Sequence, residues 1–233
     1  MSAETFPPEW IFTPQRVAVH RPTRTGIVAD LHLGYDLALL HGGDAIPVDT
    51  HKDRLAPLRD VVLAHAVRHL VIAGDFVESR HAREAVPPFL DAIRAAGIES
   101  VGLVPGNHDH GLSVDGLPVF ADGIQVGQWH VTHGDGAFPA GHVVHGHSHP
   151  YLHWTARVGG PCYLFRETCL VLPAYSDDIA GTNVLEHGRW RNFRCWVVAG
   201  DAVLGFGKVG LMRQIWREGY AIHDMNRKRR ARG

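Results

Sequence analysis

Three short apolar runs punctuate the first hundred or so residues of the chain. TGIVADLH (25–32), RHLVIAGD (68–75) and IESVGLVPGN (98–107) are rich in β-branched residues, bounded by Gly or Pro, and polar at their C-terminal ends. Runs of that length and make-up predict buried strands. Between the first two lies DTHKDRLAPLRDVVLAHAV (49–67), where Leu55, Leu58, Val62, Leu63 and Ala66 recur at helical spacing. Thr50 with Asp53 three residues on forms a capping-box pattern at its start. Between the second and third lies PPFLDAIRAAG (87–97), with prolines at the start and Gly97 as the stop. Strand–helix–strand–helix–strand alternation implies a parallel sheet with crossover helices.

The pattern then changes. GIQVGQWHVTHG (123–134), GHVVHGH (141–147), YLHWTARVGG (151–160), CYLFRETCLVLP (162–173) and NFRCWVVAGDAVLGF (192–206) read as strands separated by turns. Helical periodicity returns only in GLMRQIWREGYAIHDMN (210–226). A second sheet packed face to face on the first is the expected outcome. The fold class is therefore α/β, a sandwich of two facing mixed sheets flanked by helices. Residues 1–225 read as one domain, since no repeat or Ser/Pro-rich linker divides them, and 226–233 as an unstructured basic tail.

Composition adjusts this picture in a few places. A chain of 233 residues with 45% hydrophobic and 20% charged residues can bury a substantial core. No apolar run is long enough to span a membrane, and the opening MSAETFPPEWIF lacks the pattern of a secretory signal. The three cysteines, Cys162, Cys169 and Cys195, form no CxxC pair and read as reduced thiols of a cytoplasmic protein. A bridge between Cys162 and Cys169, which flank a strand-like stretch, is not needed. The formal net charge of −1 hides an uneven spread. NRKRRARG (226–233) holds five basic residues and no acid, a composition that suits either contact with phosphate backbones or plain solvation.

Histidine changes the picture most, with 18 in the chain. In VVHGHSHP (143–150), His145, His147 and His149 alternate, so an extended backbone would point them the same way. Further donors sit where the predicted strands end: Asp30 and His32, Asp75, Asn107 with His108, and His133. Open α/β sheets place their sites at the C-terminal ends of strands. Without His108 and His145, the seven oxygen and imidazole donors Asp30, His32, Asp75, Asn107, His133, His147 and His149 exceed what one ion needs and suit two ions sharing a carboxylate, an arrangement whose chemistry is in-line displacement at phosphorus.

ADLHLG, AGDFVE, PGNHDH, THGDG and HGHSHP resemble, in order, the five signature blocks of the calcineurin-like metallophosphoesterase superfamily. That resemblance implies Asp30, His32, Asp75 and His149 as ligands of a first ion. It implies Asp75, Asn107, His133 and His147 as ligands of a second, with Asp75 bridging. It gives His108 contact with phosphate and the part of general acid. Gly146 would permit close backbone approach between His145 and His147. His145 is expected to support or pack rather than ligate, and Asp109 to orient His108 or a ligand, or else to shape a turn. Asp135 is placed similarly, and His110, His130, His142 and His153 near the surface or behind the ligands. Donors without thiolate suit manganese, iron or zinc, and the resemblance favours Mn²⁺.

ADLHLGYDLALLHGGDAIP (29–47) and CLVLPAYSDDIAGTNV (169–184) are similar to segments of the DNA-ligase-associated metallophosphoesterases. Tyr35 stands where a lysine is frequent there, and Ser176–Asp177 departs from a small Phe/Gly-type stretch. This resemblance implies a cytoplasmic phosphodiesterase or nuclease linked to DNA repair, with repair proteins as partners and the basic tail favouring a nucleic-acid substrate. Two alternatives stay open: a hydrolase of small phosphoesters such as cyclic nucleotides, and a non-catalytic scaffold on the same fold. Phosphoprotein phosphatase activity is disfavoured, because no arginine pair lies closer to the motifs than Arg80 and Arg83.

Overall fold

The computed structural model describes residues 7–43, 53–155 and 157–230, with the side chains of residues 80, 81 and 220–230 excepted. The first sheet contains β1 (Trp10–Phe12), β2 (Ala18–His20), β3 (Thr25–Val28), β4 (His69–Ala73) and β5 (Ser100–Val104), in that spatial order. β3, β4 and β5 run parallel, and β1 and β2 extend the sheet as an antiparallel hairpin. The apolar runs of β3 and β4 are buried almost throughout, as a parallel strand covered on both faces requires.

Three helices interrupt these strands: α1 (Tyr35–Gly42), α2 (Ala56–Ala64) and α3 (Val86–Ala95). α2 starts later than the sequence pattern suggests. Asp53 Oδ1 accepts the amide N–H groups of Leu55 and Ala56, with Pro57 in the first turn, while Thr50 lies outside the described residues. The buried face is Leu58, Val61 and Val62; Leu63 is 71% exposed, and Ala66 has left the helix with φ 50°. α3 carries Val86, Phe89, Leu90 and Ile93 inward and stops before Gly97 at φ 103°.

The second sheet is built from β6 (Ile124–Val126), β7 (Trp129–Thr132), β8 (His142–His145), β9 (Pro150–Thr155), β10 (Val158–Arg166), β11 (Cys169–Val171), β12 (Thr182–Asn183), β13 (Arg194–Ala199) and β14 (Ala202–Lys208). β7, β8 and β11 lie side by side in parallel, and the long β10 joins β9, β11 and β13. The 151–160 run divides between β9 and β10, and the 162–173 run divides where β10 turns back at Glu167–Thr168 into β11. Cys162, Cys169 and Cys195 are free thiols.

Three cores follow from this layering. Trp10, Ile27, Val71 and Val104 of the first sheet meet Trp129, Val144, Tyr163 and Trp196 of the second. α2 and α3 cover the outer face of the first sheet through Leu58, Phe89 and Ile93. The final helix, α4 (Val209–Arg230), covers part of the second through Val209 and Met212. The result is a helix–sheet–sheet–helix sandwich. α4 crosses the expected domain boundary at residue 225 and carries residues 226–230 in helical backbone; 231–233 lie outside the described residues. Among the described residues, no helix is long and apolar enough to cross a membrane.

Candidate metal centre

The loops after β3, β4, β5, β7 and β8 emerge on one side of the sandwich. They bring together two triads of side chains whose donor atoms lie within 4.8 Å of one another: Asp30, His32 and His149, and Asp75, His133 and His147. One carboxylate oxygen faces both. Asp75 Oδ2 is 3.5 Å from His133 Nε2 and 3.9 Å from His32 Nε2. Asp30 Oδ1 lies 3.3 Å from His149 Nε2 and 3.9 Å from His133 Nδ1. His147 Nδ1 and His133 Nε2 are 3.1 Å apart.

Backbone strain is concentrated here. Eight non-glycine residues among those described have positive φ, and five are Asp30 (55°), His32 (49°), Asp75 (47°), His147 (61°) and His149 (41°). Such conformations are costly outside glycine and persist where surrounding structure enforces them. The enforcing bonds are visible. Asp30 and His32 donate their amide N–H groups to the carbonyls of Gly74 and Asp75, and the His147 N–H reaches both Asp30 oxygens (3.2 and 3.0 Å). A Cβ on Gly146 would stand 2.7 Å from Asp30 Oδ2, so a residue without a side chain is needed where the two loops meet.

The donor set fits divalent cations. Asp30 and Asp75 are buried, and among the described residues no lysine or arginine pairs with either. Buried carboxylates need a compensating charge. Among the described residues, His32 Nε2 and His149 Nε2 are buried with no partner at hydrogen-bonding geometry, although both point toward these carboxylates. Imidazole nitrogens turned toward a cation would leave that signature.

Glu78, three residues after Asp75, was not singled out by the sequence pattern. Its Oε2 is 2.6 Å from His32 Nδ1, so the carboxylate accepts that N–H and leaves Nε2 as the free donor atom. A carboxylate behind a ligating histidine fixes its tautomer and raises its basicity. The one available signal was an acid on the same short loop as Asp75. Glu78 also groups with His108, whose Nδ1 is 2.9 Å from the Glu78 carbonyl. The carbonyl accepts that N–H, and the ring, packed edge-on against His32, is partly exposed. Burial pulls the His108 pKa down, but the Glu78 carbonyl and the charges of Asp75, Glu78 and Asp109 outweigh it, and the pKa lies above the ordinary histidine value.

Asn107 opens a short 3-10 turn, Asn107–Asp109, and is exposed. It lies next to His108, whose amide donates to Asp75 Oδ1 (3.0 Å). Asp109 is buried and accepts the amides of Phe76 (3.0 Å), Val77 (3.1 Å) and Gly106 (2.9 Å), tying the loop of Asp75 to that of Asn107. His145 is buried with its Nδ1 3.0 Å from the Gly146 carbonyl, and burial pushes its pKa down to about 4. Neither joins a triad. His142 packs on Trp129, His153 stacks on Tyr151, His130 neighbours Gln125, and His110 and Asp135 are exposed.

The segment holding Ser176 and Asp177 is fastened to the centre. The amides of Tyr175 and Ser176 donate to the carbonyls of Ala29 (2.8 Å) and Asp30 (3.2 Å). Arg16 reaches the carbonyls of Tyr175 and Ser176 and pairs with Asp177, and Arg54 bridges Asp36 and Asp178. Beside them, on the His32 side, is a cavity of about 570 Å³ lined by Tyr35, Arg54 and Tyr175 among others.

No family model and no curated protein matches this sequence. Among solved structures, the chain is similar to a nuclease MPE from Pseudomonas putida, with a TM-score of 0.65 and 22% identity, over 84% of this chain and 94% of the other. That likeness is one of fold.

Proposed function

We propose that the chain is a binuclear metal-dependent phosphoesterase of the calcineurin-like type that cleaves phosphodiesters, with nucleic acid as its substrate. The observation that carries this is the single Asp75 oxygen facing histidines of two triads. In this reading Asp30, His32, Asp75 and His149 hold one ion, and Asp75, Asn107, His133 and His147 the other. Divalent cations held by these residues would supply charge against phosphoryl oxygens and lower the pKa of water towards neutrality. Asn107 contributes a neutral oxygen and so adds no charge against an arriving phosphate. His108 presents Nε2 to the leaving oxygen, while Nδ1 is held by the Glu78 carbonyl. Glu78 and Asp109 keep ligands and proton donor in register.

The nucleic-acid substrate is supported by the description of the similar fold as a nuclease and by the five basic residues at 226–233. Manganese as the metal, a DNA-ligase-associated role in repair with protein partners there, and a cytoplasmic setting belong to the same proposal. They rest on the motif resemblance. The cavity beside His32 favours a second reading, hydrolysis of small phosphoesters such as cyclic nucleotides. A non-catalytic scaffold would have no use for the strained donor set.

The Mn²⁺-loaded protein should therefore be assayed on bis-p-nitrophenyl phosphate, p-nitrophenyl phosphate, 2′,3′-cyclic nucleotides and single-stranded DNA. Diester and DNA cleavage above monoester cleavage is the expected ranking. Cyclic nucleotides in first place would favour the small-molecule reading, and inactivity on all four would reject both.

A further inference from the structure

The segment GDGAFPAG (134–141) leaves ligand candidate His133 and returns as β8, the strand that leads to His147. It begins and ends on glycines in the left-handed region, Gly134 (φ 113°) and Gly141 (φ 101°). At its tip Phe138 lays its ring on His145, with centroids 4.6 Å apart and planes 47° apart. His145 is buried beneath it, and the next residue, Gly146, donates its amide to the His133 carbonyl at 2.9 Å. Phe138 thus covers His145, whose neighbour Gly146 is bonded to His133 of the triad formed by Asp75, His133 and His147. His145 touches the ring at a tilt, and the residue remains 53% exposed.

Phe138 is not part of the core, unlike Phe76 and Phe89, which are buried and pack on each other. Among the described residues, the other large apolar side chains that are more exposed, Leu63 and Leu211, are aliphatic and lie on α2 and α4. An aromatic face held at the edge of an anion-binding centre offers something that charged groups cannot. It can grip the uncharged part of a substrate without competing for the phosphate or for the cations. In a nucleic acid, the flat group next to every phosphodiester is a base, and base–aromatic stacking tolerates any sequence.

We propose that Phe138 is a specificity-determining residue: it stacks on a nucleobase adjoining the scissile phosphate, on the His133–His147 side of the centre. The proposal rests on the phosphodiesterase reading and deepens it, because it requires a substrate whose base has a free face. The cavity on the His32 side plays no part in it.

The test is binding followed by fluorescence anisotropy, with Mn²⁺ and separately with Ca²⁺. The probes are fluorescein-labelled oligothymidylate and an oligomer of equal length built from abasic residues. Wild type should prefer the thymidylate. Phe138→Ala should weaken thymidylate binding about tenfold while changing abasic binding by less than about twofold, and Phe138→Trp should restore the preference. Thermal melting of each variant checks that the loop change leaves the fold in place. Equal losses on both oligomers, no loss on either, or no thymidylate preference in wild type would each overturn the stacking role. Hydrolysis of bis-p-nitrophenyl phosphate by the wild type, measured alongside, separates the two ideas. Activity there with no base preference removes Phe138 alone, and inactivity both there and on single-stranded DNA removes the phosphodiesterase reading.

Discussion

Asp75 Oδ2 sits between His32 Nε2 and His133 Nε2 while Asp75 Oδ1 accepts the His108 amide, so its two oxygens divide the work. Asp75→Asn keeps the shape and the amide contact but removes the charge. Losing a supporting residue alone typically costs ten- to a hundredfold in metal affinity or activity. The shared carboxylate should cost more, and we expect Mn²⁺-dependent hydrolysis to fall by at least roughly a hundredfold. Titration calorimetry should show fewer ions bound per chain. An unchanged stoichiometry would contradict the shared position. The six side chains of the two triads were legible in the sequence because each stands where an apolar run stops. Glu78 was not, since one acid in a polar loop carries no spacing of its own. The left-handed backbone at Asp30, His32 and Asp75 was equally hidden, because it is imposed by bonds from loops distant in sequence, such as the Gly74 carbonyl that takes the Asp30 amide.

α2 shows what a pattern alone can and cannot fix. The helix was visible, but its phase depended on where it begins, and Asp53 starts it at Ala56. From that start Leu58, Val61 and Val62 face the first sheet and Leu63 turns to solvent. Leu63→Lys should therefore shift stability by less than about 0.5 kcal/mol, and Leu58→Ala should cost about 2–5 kcal/mol in urea unfolding. Comparable losses would mean the helix is rotated. The β1–β2 hairpin escaped the pattern because three-residue strands are too short to show a period, yet it buries Trp10 and Phe12. On β2, His20 packs against Trp10 (4.9 Å) and meets Thr23 Oγ1 at 2.8 Å. Burial lowers its pKa, with Glu9 offsetting part of the shift, so the folded state takes up a proton on His20 less readily than the unfolded chain does. Below about pH 6.5 the unfolded chain takes up a proton that the folded one resists, and stability falls until the folded pKa is reached. His20→Gln should flatten that acid-side slope in urea titrations between pH 7 and 5. An unaltered slope would assign it to other histidines.

The parallel core β3–β4–β5 could be anticipated from runs that alternate with helices, whereas the order of the second sheet could not. Its strand order, β12-β9-β10-β11-β8-β7-β6 with β13 and β14 branching from β10, depends on pairings across long stretches of chain. That order matters because it sets His133, after β7, and His147 and His149, after β8, opposite Asp30 and Asp75 of the first sheet. The centre therefore spans the two halves of the sandwich, and cations bound there would clamp one sheet to the other while relieving two buried carboxylates. Binding to the folded state alone stabilises it by about 2.7 kcal/mol when the ligand is at a hundred times its Kd. For a chain of this size that corresponds to a rise in Tm of about 5–10 °C. Saturating Mn²⁺ should raise the melting temperature of chelator-treated protein by that order, EDTA should reverse it, and Asp75→Asn should lose most of the rise. A wild type whose melting ignores manganese, or a variant that gains as much as wild type, would show that no shared cation joins the sheets, whatever the side chains' spacing.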